Sequence, residues 1–200
     1  MHKKLLSFLF FIITSFSFSL TSSELYQNMN LTNKISYDTF TKALIGYNQI
    51  KVKKEGLIVI IDYNKPSVEK RFYVLDLYKQ KILYETLVSH GKNSGKNRTL
   101  VFSNNRHSYQ SQLGFFKTLS SYRGQYGFSL RLRGLQKGIN SNAESRSIVI
   151  HGADYVSESF IKRHGFLGRT RGCPAIPTKF IKKIIPLIDE GVVLFIDGNN

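Results

Sequence analysis

The sequence predicts a mainly β single domain with a few helices. Three observations carry that reading. Leu57–Tyr63 (LIVIIDY) is a nearly continuous apolar, β-branched run, the pattern of a strand buried on both faces. Ile82, Tyr84, Thr86 and Val88 alternate with the other face of Lys81–Ser89, as period-2 pleating requires. The chain of 200 residues is 42% hydrophobic and 21% charged, enough apolar material for one core of ordinary size and too much for wholesale disorder.

Taken in order, Met1-His2-Lys3-Lys4 is a short basic start, followed by the apolar run Leu5–Leu20. That run is short for a membrane span, which needs about 20 residues, and fits the hydrophobic stretch of a secretory signal. Residues 1–23 are therefore expected to be a signal peptide, cleaved after Ser23, with Ser19 as the other option. The mature chain would carry no integral membrane span and would act in the periplasm or cell envelope. Residues 24–56 are expected to form an N-terminal helical segment and 57–200 the main folded domain. Within the former, 24–36 is polar and expected to be mobile. In Tyr37–Ile50, Phe40, Ala43, Leu44, Tyr47 and Ile50 recur at helical steps.

After Leu57–Tyr63, Lys65-Pro66-Ser67 breaks the strand and Arg71–Leu77 resumes. Tyr78–Gln80 turns into Lys81–Ser89. Phe128–Leu132, Ser147–His151 and Gly191–Asp197 are strand-like. A helix is expected from about Asp154 to His164, stopped by Gly165. Another follows Pro177 with Thr178 as its N-cap, and Pro186 should kink or interrupt it.

The net charge is +16, from 29 Lys+Arg against 13 Asp+Glu. Losing Lys3 and Lys4 with the signal leaves 27 against 13, or +14. No nucleic-acid-binding pattern accompanies this charge, and on an exported chain the anions within reach are lipid head groups and cell-wall polymers. Between Thr86 and Ala143 there are nine basic residues and no acidic one. Glycines 91, 95, 114, 124, 127, 134 and 138 fall in the same stretch, which suggests loops shaped around something.

The one cysteine cannot form an internal disulfide or a thiolate zinc site with partners of its own kind. Cys173 lies in Gly168-Arg169-Thr170-Arg171-Gly172-Cys173-Pro174-Ala175, and His151-Gly152-Ala153 ends an apolar strand upstream. At its reference pKa only about 3% of a thiol is ionised at pH 7, so cysteine nucleophiles are paired with an imidazole that takes the proton. From these residues alone, nucleophile and small buried hydrophobe weigh equally. His90, at the end of another strand, competes with His151 as base, whereas His107 and His164 read as surface residues. No metal site is implied, since His, Asp and Glu show no ligand spacing.

His151-Gly152 and the Gly-x-Thr-x-Gly-Cys segment ending at Cys173 resemble the signature of the murein L,D-transpeptidase (YkuD-type) catalytic domain. The likeness is closest to the branch in which Pro-Ala follows the Cys. It extends through Asp62–Ser67, Ser89-His90-Gly91, Ser94-Gly95, Phe102-Ser103-Asn104, Leu113-Gly114, Tyr122-Arg123-Gly124, Gly134-Leu135 and Arg146–Ala153, that is, roughly from Leu57 to Asp197.

The resemblance implies an L,D-transpeptidase-like β-sandwich catalytic domain; the chain is expected to be a monomer and to use no cofactor. It implies attack by Cys173 on peptidoglycan stem peptides, with His151 as general base, and 3→3 cross-linking through a thioacyl-enzyme. Gly172 and the Cys173 backbone match the oxyanion donors, and Thr170 matches the Ser/Thr of the motif. Arg171, Gly152 and His90 complete the candidate substrate-binding set. Two departures stand out: Arg171 occupies the place where His is more familiar, and 18 residues separate His151 from Thr170. Water as acceptor would make the protein an L,D-carboxypeptidase or amidase. A non-catalytic basic wall-binding module is the third alternative.

Overall fold

The alternation read in the sequence becomes one eight-stranded sheet, whose two edges meet. The computed structural model describes residues 21–51 and 54–199; residues 1–20, the bulk of the expected signal peptide, lie outside them. The strands are β1 (Leu57–Asp62), β2 (Phe72–Asp76), β3 (Lys81–Thr86), β4 (Gly114–Gly124), β5 (Gly127–Gly134), β6 (Val149–Gly152), β7 (Ala175–Ile176) and β8 (Val193–Asp197). Their order across the sheet is β3-β2-β1-β8-β4-β5-β6-β7. Among these strands only β1–β8 and β6–β7 pair in parallel. Beyond β3 the chain bridges across, with Ser89 antiparallel to Ala175 of β7, so the sheet curls into a near-barrel. The mainly β expectation is met.

The β1 run is apolar on both faces because it serves two cores. Val59 and Ile61 point into the inner core with Phe116, Leu130, Leu132 and Ile150. Ile58 and Ile60 point into an outer core with Tyr73, Leu75, Val193 and Phe195. The inner core is filled by α4 (Thr178–Ile188), whose Ile181, Ile184, Ile185 and Ile188 form one apolar stripe. The outer core is covered by α1 (Ser22–Asn28) and α2 (Tyr37–Gln49).

Several local expectations change. Residues 24–36, expected to be mobile, are packed onto the domain. Tyr26, Met29, Leu31 and Ile35 are buried, and α1 opens on a capping box between Thr21 and Glu24. Ser23 lies in the first turn of that helix, so cleavage after Ser23 would remove its cap, whereas cleavage after Ser19 would leave it. The helix expected from Asp154 starts only at Glu158, because Ser157 caps it through the Phe160 amide, giving α3 (Glu158–His164). Gly165 ends α3 in the left-handed region, as expected. Pro177 rather than Thr178 occupies the N-cap of α4; the Thr178 hydroxyl donates instead to Asp154. Pro186 does not interrupt α4. It falls in the last turn, where Lys54 reaches the Pro186 and Leu187 carbonyls and Asp189. The strand β4 was hidden in the Gly-rich basic stretch. It pairs with β5 through a two-residue turn, Gln125-Tyr126, between Gly124 and Gly127.

Candidate active site

Two neighbouring segments bring the histidine and the cysteine together. His151 in β6 pairs in parallel register with Ala175 in β7, two residues after Cys173. The His151 amide donates to the Pro174 carbonyl. Both residues line one cleft of about 260 Å³, with Lys92, Tyr126, Tyr155, Arg169, Thr170 and Arg171 around them. A larger cavity of about 720 Å³ lies beyond β6, but it contains Glu85, Asp154 and Glu158 and neither Cys173 nor His151. The small cleft is therefore the candidate active site.

His151 is almost fully buried. Its Nδ1 lies 3.0 Å from the Gly152 carbonyl. A carbonyl only accepts, so Nδ1 carries the proton and Nε2 keeps its lone pair. Burial holds this imidazole below its ordinary pKa, leaving it neutral at pH 7. Tyr126, at the tip of the β4–β5 hairpin, stacks on the ring with centroids 4.9 Å apart. Sequence reading saw Tyr126 only as one tyrosine of the basic stretch, not as a site residue; a Gly-x-x-Gly turn closing a β-forming run was the signal that would have placed it on a hairpin.

Cys173 is half-buried and free. Burial pushes its thiol pKa up, and the thiol points to the Ser147 carbonyl at 3.6 Å. Burial thus disfavours the charged form of both groups, the thiolate and the imidazolium. Ser147 has φ +55, a left-handed conformation that a serine adopts at some cost, and this turns its carbonyl toward the sulfur.

The loop before Cys173 is held from within. The Gly172 amide donates to Thr170 Oγ1 at 3.0 Å, and that hydroxyl donates to the Cys173 carbonyl at 2.7 Å. Outward, the Thr170 amide donates to the His90 carbonyl and the Lys92 amide to the Thr170 carbonyl. The Gly172 amide, matched to an oxyanion donor by the resemblance, is thus engaged within the loop. The Cys173 amide has no hydrogen-bond partner among the described residues. Gly172 is required for another reason: its φ is +124, and a Cβ there would meet the Gln110 carbonyl oxygen at 2.8 Å. Gly152 lets β6 pass α4, since a Cβ there would lie 2.8 Å from Ile181.

His90 does not line the cleft. It is fully buried, and Arg71 Nη2 lies 2.8 Å from its Nδ1. Guanidinium only donates, so Nδ1 accepts and Nε2 bears the proton, facing the Gly95 carbonyl at 3.3 Å. Desolvation and the Arg71 charge push its pKa down to about 3. With both nitrogens engaged, His90 is neither base nor substrate ligand, and only its backbone supports the loop. Arg71 itself is fully buried, bonded to the Val88 and Lys65 carbonyls and stacked on Tyr63. Arg171 is exposed at the mouth. His107 and His164 are at the surface, as expected.

The wider comparisons bear on this arrangement. No curated protein matches the sequence. Among solved structures, an L,D-transpeptidase from Mycobacterium smegmatis aligns at 12% identity and TM-score 0.44, covering 72% of this chain and 59% of its own. The helical cell shape determining protein Pgp2 (K307A mutant) from Campylobacter jejuni aligns at 17% and 0.49, over 80% and 54%. L,D-transpeptidase (Yku) from Stackebrandtia nassauensis aligns at 14% and 0.43, over 88% and 75%. The chain thus spans little more than half the length of the first two. Among the described residues no helix is long and apolar enough to cross a membrane. The sequence also matches the L,D-transpeptidase catalytic domain over residues 31–196. Because that span contains α2, every strand but the last residue of β8, and both walls of the cleft, the chain belongs to the L,D-transpeptidase catalytic domain family.

Proposed function

We propose that this chain is an exported cysteine L,D-transpeptidase that forms 3→3 cross-links between peptidoglycan stem peptides. The observation that carries the reading is the β6–β7 register, which sets His151 and Cys173 on one cleft. In the proposed reaction the Cys173 thiol gives its proton to His151 Nε2 as sulfur attacks the carbonyl carbon of the third stem residue. The Cys173 amide donates to the developing oxyanion, an interaction worth on the order of 3 kcal/mol in the transition state. The tetrahedral adduct collapses, the carbon–nitrogen bond breaks, and His151 returns the proton to the departing D-amino acid's nitrogen. An amine of a second stem then attacks the thioester, His151 takes its proton, and the thiol is restored.

Burial that disfavours both charged forms supports general-base activation during attack, since that step begins from the thiol and the neutral imidazole. Incubating the mature protein with a defined tetrapeptide and reading the products by mass tests the proposal. A cross-linked dimer that disappears in Cys173→Ala is the expected result. Tripeptide alone would reassign the enzyme as an L,D-carboxypeptidase, and unchanged products in Cys173→Ala would reject cysteine catalysis.

A further inference from the structure

A second cavity of about 350 Å³ adjoins the first, and Arg171 lines both. Arg106, Arg146 and Arg171 converge on it, together with His107, Tyr109 and Ser147, and no carboxylate lines it. Glu144, one residue before its wall, is paired with Arg133 through two hydrogen bonds. Cys173 lines only the first cavity, but its thiol donates to the carbonyl of Ser147, a residue that lines the second.

The arginines are not equally committed. Arg146 braces the walls through the Ser103 and Gln110 carbonyls and the Ser108 hydroxyl. Arg106 uses one nitrogen on the Ser145 carbonyl. Arg171 leans toward the Tyr109 ring, 5.8 Å from its centroid, with no hydrogen-bond acceptor among the described residues. Guanidinium donors are therefore left over on Arg106 and Arg171. The walls are held in costly shapes: of six non-glycine residues with positive φ among the described residues, His107, Tyr109 and Ser147 line this cavity. A planar fork of N–H donors suits a carboxylate, which it can bind through two parallel hydrogen bonds.

We infer that this cavity is a carboxylate subsite, in which Arg106 and Arg171 grip a carboxylate of the peptide while Cys173 attacks its neighbouring carbonyl. The inference rests on the peptide-acyl-transfer reading above. The carboxylate has two possible sources: the C-terminal α-carboxylate of the departing residue, or the side-chain carboxylate of the third residue on the acyl side.

The test is calorimetric titration of three peptides into Cys173→Ala protein, which binds without turnover. The peptides are a tetrapeptide with both carboxylates free, its C-terminal amide, and its analogue amidated at the third-residue side chain. Blocking the gripped carboxylate should weaken binding about tenfold or more, and the amide that does so identifies the source. Adding Arg106→Gln or Arg171→Gln should weaken the free tetrapeptide by a similar factor and leave that amide unaffected, with the circular dichroism spectrum unchanged. Affinity indifferent to both amidations and both arginine variants, or an absence of saturable binding, would overturn the subsite. Turnover by the Cys173 protein with the same tetrapeptide separates the two ideas. Turnover with arginine-independent binding rejects the subsite alone, and arginine-dependent binding without turnover rejects the transpeptidase reading alone.

Discussion

His90 makes the protein acid-sensitive in a way that can be measured. In the fold its ring accepts from buried Arg71 and faces the Gly95 carbonyl, which pushes its pKa down to about 3. In the unfolded chain it titrates near 6.5. Below pH 6.5 the unfolded state therefore binds a proton that the folded state refuses. Stability is complete above about pH 6.5 and falls as the pH drops toward 3. Each pH unit in that window is worth about 1.4 kcal/mol, so pH 4.5 should cost on the order of 2 to 3 kcal/mol. That is a large share of the roughly 5–15 kcal/mol that holds a domain folded.

The perturbation is His90→Asn, which keeps an oxygen acceptor for Arg71 and cannot take a proton. Urea unfolding of both proteins from pH 7 to 4.5 isolates His90, since other titrating groups cancel in the difference. Wild type should be the more stable at pH 7, and its advantage should shrink by about 2 to 3 kcal/mol at pH 4.5. An advantage that stays constant with pH, or a His90 ring that titrates near 6.5 by NMR, would refute the reasoning.

Other expectations follow from the cleft. Acylation of Cys173 should rise with pH along an acid limb below 6.5, because His151 must be neutral to accept the proton and burial lowers its pKa. Stopped-flow acylation across pH 4 to 8 reads this limb; Tyr126→Ala, which uncovers the ring, should move it upward, while Tyr126→Phe should leave it in place. Thr170→Val strips the partners from the Gly172 amide and the Cys173 carbonyl, and should cost about 1–3 kcal/mol in thermal or urea unfolding. Thr170→Ser should restore most of that. Gly172→Ala combines a positive φ with a 2.8 Å approach to the Gln110 oxygen. It should lose about 1–3 kcal/mol of stability and most of the acylation rate, read in the same experiments.

Much of this architecture was legible in the residues. The Leu57–Tyr63 run announced a strand covered on both faces, and the structure gives it an inner and an outer core. The residues alone left Cys173 balanced between nucleophile and buried hydrophobe; the resemblance paired it with His151, and the sheet register brings the two to one cleft. What was hidden depends on long-range partners. His90 and His151 look alike in sequence, each followed by Gly at a strand end; only the packing of Arg71 against one of them sets their chemistry apart. Thr170 reads as a motif residue, yet its hydroxyl consumes the amide that Gly172 was expected to offer. Arg106 was an anonymous member of the basic stretch and Arg146 only the start of a matched segment, until the fold gathered them with His107, Tyr109 and Ser147 around one cavity. The segment 24–36 looked mobile because its apolar residues are sparse, but Tyr26, Leu31 and Ile35 each find the outer core.

The central claim is that Cys173 is acylated by substrate, and intact-mass spectrometry tests it most directly. The mature protein is mixed with a carbapenem or with excess tetrapeptide, quenched in acid and weighed, and the adduct is mapped by proteolysis. The account predicts a single adduct on the peptide containing Cys173, lost in Cys173→Ala protein that remains folded. An adduct that persists in that variant, or one that maps to another residue, would contradict it.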